Sequence, residues 1–539
     1  MLNQWIFAKR ASILGTLLIL SLGAFFIANV TTEVTPIELV EFSTYFGGMG
    51  DEHMDVAYAF GSMVVDSKGC IIVAGRTTST DFPTKVPYQD HLNGYSDSTI
   101  SKFYSNGTLI FSTFFGGSEH ELITGVAVDS NDNIVVAGNT GSSDFPVVNP
   151  IQENNTGVSG DVTDCFIAKF SEDGQSLLFS TYYGGTSNDY LYAMAIDSND
   201  QIVITGTTQS TDFPLLNPVQ DSNNGFLDIF VSLFEADCQS ILFSTYLGTT
   251  GIDHGRDVKF DSEGNLWLTG IAAVGDLATE GAYQEEYAGG ISDTFLAKFN
   301  TSGNLEYLTF LGGAALEWGN ALAIDSGNNV IITGFTTSDD FPTMNSYQNE
   351  RVNFADVFIT KFTPDGHDLL FSTYFGGSLV DYGNAITIDS HDNIVVTGQT
   401  TSDDFPTTLP YNTSDAYHTN VTLLVLDSDG ALISSMAFGG SHHDVGIEIV
   451  WHSEYRFFIL GYSESADFPV CNALQATYGG ESDMFITNID LERLITTTTT
   501  TPTSTSTLTN GFSLGLVEGG ITLGIIVVVV VLLFIRRRT

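Results

Sequence analysis

One seven-residue phrase returns throughout this chain and limits the fold more than any other feature. It reads Phe-Ser-Thr-Tyr-Phe-Gly-Gly at residues 42–48, and the later copies are spaced about 64 residues apart. Its seven copies, some of them altered, begin at Phe42, Phe111, Phe179, Phe243, Tyr307, Phe371 and Ser434. A chain with such an interval is expected to fold as a series of similar units.

Two further phrases complete each unit. Residues 128–138 place apolar, β-branched stretches on both sides of a polar turn, which predicts a β-hairpin. Matches begin at Ile196, Phe260, Ile324 and Ile388, with an altered copy at Val65 and a divergent last copy that has His452 where the others have Asp. The third phrase begins at Asp164 and returns at Asp228, Asp293, Asp356 and Asp483. Each unit therefore holds four strands.

Seven four-stranded units predict an all-β fold, a seven-bladed β-propeller over residues 37–490. A small sheet cannot bury both faces alone, so it must stack against its neighbours around an axis. The array starts with a fourth-strand phrase near Ile37 and ends with a third-strand phrase at 483–489. The N-terminal strand is thus expected to complete the last blade and close the ring. An open, rod-like solenoid is the alternative.

Three repeated motifs look structural. Asp-Phe-Pro opens the long loop between the second and third strands, where Asp would cap a turn, Phe would fill the seam between blades and Pro would fix the chain direction. It begins at Asp81, Asp144, Asp212, Asp340, Asp404 and Asp467. The Asp-Ser-x-Asp/Gly-Asn turns, such as 129–133 and 389–393, superficially resemble Ca²⁺ loops but lack the terminal Glu, so a hairpin turn is favoured. Four lysines at one repeat position are expected to pair with a neighbouring Asp: Lys102, Lys169, Lys298 and Lys361.

The three phrases resemble those of the SBBP family of β-propeller repeats, from about Ile37 to Ile489. The resemblance implies an exported propeller, often one module of a surface protein, and it implies no catalytic residues. The Thr-rich segment and the Arg-terminated apolar segment near the C-terminus look like those of archaeal surface proteins.

The charge of the chain excludes one class of partner. It has 64 acidic and 17 basic residues, a formal charge of −47. Such a field repels phosphate, so we expect no nucleic-acid binding. It attracts cations, which suits either solubility in a salty, divalent-rich medium or dedicated Ca²⁺ sites. The four cysteines are far apart and are expected to be buried small hydrophobic residues, with a disulfide between blades as the alternative: Cys70, Cys165, Cys238 and Cys471.

The two ends predict export and anchoring. Residues 1–32 contain Lys9 and Arg10 before an apolar stretch, the pattern of a signal peptide or, without cleavage, a signal anchor that would make a second span. Residues 495–511 form a Thr/Ser-rich stalk, and residues 515–535 are expected to form a transmembrane helix followed by a basic cytoplasmic tail at 536–539. The propeller would then lie outside the cell. Candidate N-glycosylation sites in this exterior part are Asn106, Asn154, Asn300, Asn412 and Asn420.

The candidate binding site lies at the Gly-Gly crossovers between units, the most variable of the repeated phrases. Alternate connections of a meander emerge on opposite faces, so the crossovers should share one face with the long loops, where binding residues concentrate. If they converge near the axis, acids, imidazoles and aromatic rings would meet there, a setting suited to a sugar or a metal. The candidate residues are Asp51, His53, Glu119, His120, Asp189, Tyr190, Asp253, His254, Glu317, Trp318, Asp381, Tyr382, His443 and Asp444.

Three functions remain open on the sequence alone. A membrane-anchored surface module that recognises or adheres to a glycan or protein is favoured, because the chain has export and anchor signals and carries no nucleophile motif. A structural envelope component without a discrete ligand is the first alternative. An extracellular glycan-processing enzyme is the second, although no GxSxG, HExxH or phosphate loop supports it.

Overall fold

A computed structural model describes residues 39–52, 62–157, 162–275, 277–409, 418–453 and 455–492. The predicted signal segment, stalk, transmembrane helix and basic tail lie outside these residues, as do His53 and Asn412. Within the described ranges no helix is long and apolar enough to cross a membrane.

The described strands form seven four-stranded antiparallel sheets, which confirms the seven-bladed propeller. The strand nearest the axis in each blade is β2 (Ser62–Val65), β6 (Glu121–Val128), β10 (Asp189–Ile196), β14 (His254–Phe260), β18 (Glu317–Ile324), β22 (Asp381–Ile388) and β26 (Asp444–Ser453). The second strands are β3 (Ile71–Thr77), β7 (Ile134–Thr140), β11 (Ile202–Thr208), β15 (Leu266–Ala272), β19 (Val330–Thr336), β23 (Ile394–Thr400) and β27 (Arg456–Ser463). The third strands are β4 (Asp97–Phe103), β8 (Asp164–Phe170), β12 (Asp228–Phe234), β16 (Asp293–Phe299), β20 (Asp356–Phe362), β24 (Asn420–Leu426) and β28 (Asp483–Asp490). The outer strands are β5 (Leu109–Phe115), β9 (Leu177–Tyr183), β13 (Ile241–Leu247), β17 (Leu305–Leu311), β21 (Leu369–Phe375), β25 (Leu432–Phe438) and β1 (Val40–Phe46).

The last blade is closed by the first strand of the chain. Its strand order is β1-β28-β27-β26, and β1 pairs antiparallel with β28, with Ser43 opposite Thr487 and Phe46 opposite Met484. The predicted closure is therefore confirmed, and the open solenoid is excluded. The pairing leaves the outer edge of this blade equivalent to the others.

The Phe of each Asp-Phe-Pro motif fills the seam between blades, as predicted. Phe213 is buried, with its ring centroid 5.2 Å from that of Tyr183 in the preceding blade and 4.7 Å from that of Phe230 in its own. Burying such a ring stabilises the fold by about 2–3 kcal/mol. The Oδ1 atom of Asp212 accepts a hydrogen bond from the backbone N of Thr186 at 2.9 Å, which ties the long loop to the crossover.

The face opposite the crossovers is held by the repeated lysines. Lys361 Nζ lies 2.8 Å from Asp325 Oδ2 in its own blade and donates to the Ser428 carbonyl of the next blade, also at 2.8 Å. The equivalent pairs, which confirm the expected pairing, are Lys102 with Asp66, Lys169 with Asp129 and Lys298 with Asp261.

The polar hairpin turns on that face link neighbouring blades. Asp392 has a φ of 61° and accepts hydrogen bonds from the N and Oγ of Ser326 in the preceding blade, at 3.0 and 2.6 Å. We call these positions the turn latch; the others are Asp132, Asp200 and Asn328. Asp389 Oδ1 accepts two backbone N–H groups of its own turn. These acids serve the chain itself, so the hairpin-turn interpretation is confirmed.

All four cysteines are free thiols in the described part of the chain. Cys70, Cys165 and Cys238 are buried, and Cys471 is partly buried. The expectation of buried small residues is met, and the alternative disulfide between blades is absent.

Candidate functional site

The crossovers and the long loops lie on the same face of the ring. We number the blades 1 to 7 in the order of their inner strands, from β2 to β26. In blade 5 the backbone N of Ala314 donates to Asp340 Oδ1 at 2.9 Å, and that of Ala315 donates to Ser338 Oγ at 2.8 Å. The chain of each crossover is therefore fastened to the start of the following long loop. We call this side of the ring the crossover face.

A cavity of about 680 Å³ lies along the axis between the inner strands. Each of the six inner strands from β6 to β26 carries a β-bulge at the same place, shown by a shift of register against its neighbour. A bulge re-aims one side chain, and here the extra residue lines the cavity. These residues form what we call the bulge ring: Thr124, Tyr192, Arg256, Asn320, Asn384 and Ile447.

Aromatic side chains line the cavity toward the crossover face. The rings of Phe335 and Tyr382 are stacked with centroids 4.0 Å apart, and Trp318 lies 5.6 Å from Phe335. The Arg256 guanidinium lies 5.6 Å from the centroid of Trp318 and 5.2 Å from that of Tyr192. We call these five residues the crescent. Their blades are contiguous, so the crescent runs round one side of the mouth.

Three charged side chains, Asp257, Lys259 and Glu448, line the cavity next to the bulge ring, farther from the crossover face. Lys259 Nζ contacts Asp257 Oδ1 at 2.6 Å, and Asp257 Oδ2 accepts the backbone N of Leu322 at 2.9 Å. Burial raises the pKa of Glu448 to about 7, with Lys259 opposing the rise and Asp257 adding to it. The residue after the bulge is acidic only in β14 and β26 among the described strands; elsewhere it is Ser62, Gly125, Ala193, Ala321 or Ala385.

The described wall therefore combines flat aromatic faces, the Arg256 guanidinium, amides and the cluster of Asp257, Lys259 and Glu448. Asn384 Nδ2 donates to the Gly446 carbonyl at 2.9 Å, and Gln399 lies beside Tyr382 on the next strand. Beyond the charges the wall turns aliphatic, with Met194, Ile386 and Ile449. Such a mouth suits a ligand that has an apolar face and polar edges.

The crossover acids among the sequence candidates do not face this mouth. Glu317 is fully buried; its Oε2 accepts the backbone N of Gly313 at 3.0 Å and its Oε1 accepts the Thr336 hydroxyl at 2.6 Å. The same arrangement holds the equivalent buried residues Asp189, Asp253, Asp381 and Asp444, and also Glu52 and Glu121. The expectation that these acids meet a ligand is corrected: each one holds the backbone of its own crossover, whose N–H groups have no strand partner.

The remaining candidates fall into two groups, those that line the cavity and those that do not. Trp318 and Tyr382 line the cavity, whereas several others are absent from its described lining: Asp51, Glu119, His120, Tyr190, His254 and His443. His254 is buried, and burial together with Arg256 lowers its pKa to about 4. His120 instead stacks on Tyr95, with centroids 5.3 Å apart.

Imidazoles do cluster at one crossover. The ring centroid of His418 lies 5.1 Å from that of His443 and 5.5 Å from that of His442. Across the described ranges, however, no three or more His, Cys, Asp or Glu side chains are placed to hold a metal ion.

A second apolar feature surrounds the mouth. One position of the long loop, two residues before the third-strand acid, carries an exposed hydrophobic residue in four blades. We call these residues the crown: Tyr95, Phe226, Ile291 and Phe354, which are 68, 68, 71 and 64% exposed. Exposed rings at equivalent positions on one face indicate a contact surface.

The sequons differ in accessibility. Asn106 and Asn154 are exposed, and Asn300 is partly exposed with its Oδ1 capping a turn. Asn420 is only 3% exposed at the start of β24, so the expected glycosylation there is corrected. It occupies the position of the third-strand acid, which is buried in every described blade.

Sequence reasoning missed the bulge ring, although the repeat contained a signal for it. Counted from the crossover acid, the fourth residue changes from Thr to Tyr, Arg, Asn, Asn and Ile, while the sixth is always aliphatic or Met: Val126, Met194, Val258, Leu322, Ile386 and Ile449. Variation at one internal position of a uniform strand indicates a residue that packing does not determine.

Comparison with known proteins gives distant relatives. The chain is 22% identical over 421 residues to the uncharacterized WD repeat-containing protein L264 of Acanthamoeba polyphaga mimivirus, covering 62% of this chain and 30% of that protein. It is 23% identical over 328 residues to the regulatory protein FlaEY of Caulobacter vibrioides, covering 57% and 33%. The chain thus spans about a third of the length of these relatives.

Among solved structures, the chain is similar to the Pan2 WD40 domain of Neurospora crassa at 9% identity and a TM-score of 0.41, covering 84% of this chain and 96% of that one. The family model of the SBBP beta-propeller repeat matches residues 370–406, from β21 to the Asp-Phe-Pro motif of blade 6. The other blades repeat the same phrases in the same strands. The chain is therefore a seven-bladed β-propeller, and one of its repeats matches the SBBP beta-propeller repeat.

Proposed function

We propose that this propeller is a membrane-anchored, cell-surface recognition module that binds a glycan at the crescent. The observation that carries the proposal is the aromatic mouth of the cavity, where the ring of Phe335 contacts those of both Trp318 and Tyr382. A pyranose ring presents C–H groups on its faces and hydroxyls at its edges. Aromatic faces can pack against the first, and the Asn and Gln amides can bind the second.

Export and anchoring rest on the segments at the two ends of the chain. The apolar stretches and the Thr/Ser-rich stalk support an exterior propeller held to the membrane on its C-terminal side. An exterior propeller encounters envelope polysaccharides, and its net charge of −47 favours neutral or cationic glycans over strongly anionic ones.

Binding of the purified full-length protein to a panel of soluble envelope polysaccharides, measured by calorimetry with and without Ca²⁺, tests this proposal. Trp318→Ala and Tyr382→Ala should each weaken binding about 10-fold, the equivalent of about 1.4 kcal/mol. Trp451→Ala is the matched control, because Trp451 is also on an inner strand but at the end away from the crossover face. Equal binding by Trp318→Ala and the parent protein would contradict the proposal.

Turnover separates recognition from catalysis in the same experiment. If a bound glycan were cleaved and Glu448→Gln abolished the cleavage, the protein would be an enzyme instead of a recognition module. Binding of no polysaccharide, together with ordered self-assembly, would instead favour the structural envelope component.

A protein ligand is the second candidate, and the crown favours it. Exposed aromatic and aliphatic residues surrounding a cavity mouth are typical anchors for a protein partner. Phe226→Ser combined with Phe354→Ser should abolish adhesion to a protein while leaving polysaccharide binding unchanged. Loss of polysaccharide binding in this variant would show that the crown belongs to the glycan site.

A further inference from the structure

The crossovers contain buried carboxyl pairs that the recognition site does not use. Each pair joins the acid at the end of a crossover with the acid that starts the third strand of the preceding blade. Among the described residues the pairs are Asp97 with Glu121, Asp164 with Asp189, Asp228 with Asp253, Asp293 with Glu317, Asp356 with Asp381, and Asp483 with Glu52. All twelve side chains are at most 4% exposed.

The two acids of a pair approach each other around the first glycine of the crossover. A Cβ atom added to Gly376 would lie 2.8 Å from Asp356 Oδ1 and 2.8 Å from Asp381 Oδ2. At Gly47 the corresponding distances are 2.7 Å to Asp483 Oδ1 and 2.4 Å to Glu52 Oε2. Two ionised carboxylates that border the same glycine in a buried site would repel each other.

Hydrogen bonding divides the pairs into two groups. In four of them the Oδ1 atom of the third-strand acid is buried and has no partner in the described structure: Asp164, Asp293, Asp356 and Asp483. In the other two, that oxygen accepts the backbone N–H of a loop glycine at 3.0 Å: Asp97 from Gly94 and Asp228 from Gly225. A buried oxygen without a partner is costly, so these four atoms require an explanation.

The facing acid of each pair is already surrounded by donors. Asp381 Oδ2 accepts the N–H of Gly377 at 2.7 Å and the hydroxyl of Ser402 at 2.9 Å, while its Oδ1 accepts the hydroxyl of Thr400. Asp356 Oδ2 accepts Gln348 Nε2 at 2.7 Å and the N–H of Val352 at 3.1 Å. A metal ion would have to displace these hydrogens, whereas a single proton between the two carboxyl groups needs no further ligand.

We propose that each of these four pairs holds one proton, shared between the unpartnered Oδ1 of the third-strand acid and the facing crossover acid, so that the propeller takes up protons when it folds. The proton replaces the missing partner of Oδ1 and removes one of the two buried negative charges. Blade 6 supports this reading, because Asn420 stands there opposite Asp444 and an amide is a neutral group that cannot ionise.

The surroundings favour the protonated form. Burial raises the pKa of Asp164, Asp293 and Asp356 to about 7 and that of Asp483 to about 6. The charged groups that face the pairs from the adjoining loops are mostly acids: Asp212, Asp340, Asp404 and Asp81, with Arg351 acting on Asp356. The two pairs with a glycine donor show a rise of pKa as well, without a free oxygen to hold the proton.

The sign of the pH effect follows. An unfolded Asp titrates near pH ~3.9, below the folded pKa of about 6–7 in these pairs. Between those values the folded chain holds more protons than the unfolded chain, so the stability that the pairs contribute is complete below about pH 4 and is lost as pH rises through about 6–7. Because each pair titrates as a unit, the measured values belong to the pairs.

The test compares the full-length protein with the quadruple variant Asp164→Asn, Asp293→Asn, Asp356→Asn and Asp483→Asn. At pH ~5.5, unfolding of the parent protein should release about four more protons than unfolding of the variant, measured by calorimetry in buffers of different ionisation enthalpy. The infrared carbonyl band of protonated carboxylic acids should be stronger in the folded parent than in the variant, which keeps other buried acids of raised pKa such as Glu121 and Glu448. Asn is isosteric with the protonated acid, so the variant should fold, as circular dichroism can check.

Two controls separate the pairs from general charge effects. Asp173→Asn with Asp365→Asn removes two exposed acids, whose hydrogen bonds to Ser171 and Thr363 lower their pKa, and should not reduce the proton count. Asp97→Asn with Asp228→Asn should have a smaller effect per residue than the quadruple variant. Absence of the infrared band in the folded parent at pH ~6 would by itself overturn the proposal. Stabilisation by Ca²⁺ that the quadruple variant abolishes would overturn it in favour of a cation site.

Discussion

The turn latch and the bulge ring each use one repeated position of the blades, and they use it in opposite ways. The four latch residues are all Asp or Asn with a left-handed backbone, and each is bonded to the preceding blade; in two other blades Gly69 and Gly264, also at positive φ, take the same place. The bulge ring has Thr, Tyr, Arg, two Asn and Ile, all lining the cavity. Positions that hold blades together are uniform because every seam poses the same packing problem. Positions that a ligand would meet vary, because a specific site needs different groups in different places.

The largest effect should come from a uniform position in the core. Phe341→Ala empties the seam between two blades and should lower the free energy of unfolding by about 4 kcal/mol, as for other buried aromatic residues. Urea unfolding measures it. Phe354→Ala is the control on the same loop, since Phe354 is 64% exposed where Phe341 is 3%. A similar loss in both variants would break the distinction between seam and crown.

The next effect concerns the uniform lysines. Lys361→Met leaves Asp325 buried without its cation and should cost about 3 kcal/mol. Lys68→Met is the control, because Lys68 is a surface residue whose side chain is 54% exposed, so a much smaller loss is expected. Glycan binding should stay unchanged in both. Weaker binding in Lys361→Met would mean that the turn face contributes to recognition.

Glu448 provides a test in which the substitution should raise stability. It lies in the cavity wall, at a position that is not acidic in most blades. Its folded pKa of about 7 lies above the ordinary value, so it destabilises the fold progressively as pH rises from about 4 to 7. Glu448→Gln should therefore be more stable than the parent protein by about 2 kcal/mol at pH 8, and the difference should shrink in acid. Thermal unfolding at several pH values measures it. Glu263→Gln, which changes an exposed acid on a hairpin turn, is the control.

A latch position should have a moderate effect. Asp392→Ala removes two hydrogen bonds to Ser326 and puts a Cβ-bearing residue without a polar side chain at a positive φ, which should cost about 1–2 kcal/mol. Asp392→Asn should be nearly neutral, since Asn328 occupies the equivalent position in the preceding blade. Chemical denaturation of both variants shows whether the free energy of unfolding depends on the hydrogen bonds of this side chain or on its charge.

The smallest stability effect should be seen in the bulge ring itself. Asn384→Ala removes a hydrogen bond to the Gly446 carbonyl but borders the cavity, so the loss should be at most about 1 kcal/mol. Its effect on binding should exceed its effect on stability. A loss above about 2 kcal/mol without any change in binding would mean that the ring is part of the fold.

The fold could be predicted from the sequence because repetition made each local signal count seven times. The hairpin turns, the buried Phe of Asp-Phe-Pro, the lysine pairs and closure by β1 all follow from phrases that recur at one spacing. The placement of the crossover acids could not be predicted, because a buried Asp381 and an exposed Asp365 look alike in an acidic chain. Only the surrounding N–H and hydroxyl groups, which come from distant parts of a blade, distinguish them.

The candidate site was predicted in part. Trp318 and Tyr382 were singled out and do line the cavity, because the crossovers start the inner strands. Arg256 and Asn320 were missed because a β-bulge changes which residues of a strand face inward, and only a position-by-position comparison of the repeats reveals the variable place. Asn420 was misjudged as an accessible glycosylation site, because it occupies the buried position at which the third strand of a blade starts.

The pairing of β1 with β28 also decides how the ring responds to mechanical load. The two strands are antiparallel, with Val40 opposite Ile489, so the beginning of β1 and the end of β28 lie side by side. A force that separates these two ends would break the hydrogen bonds between β1 and β28 one after another, instead of loading all of them at once in shear. The last blade would therefore release first, at low force, while the other six sheets, each formed by consecutive strands, stay folded.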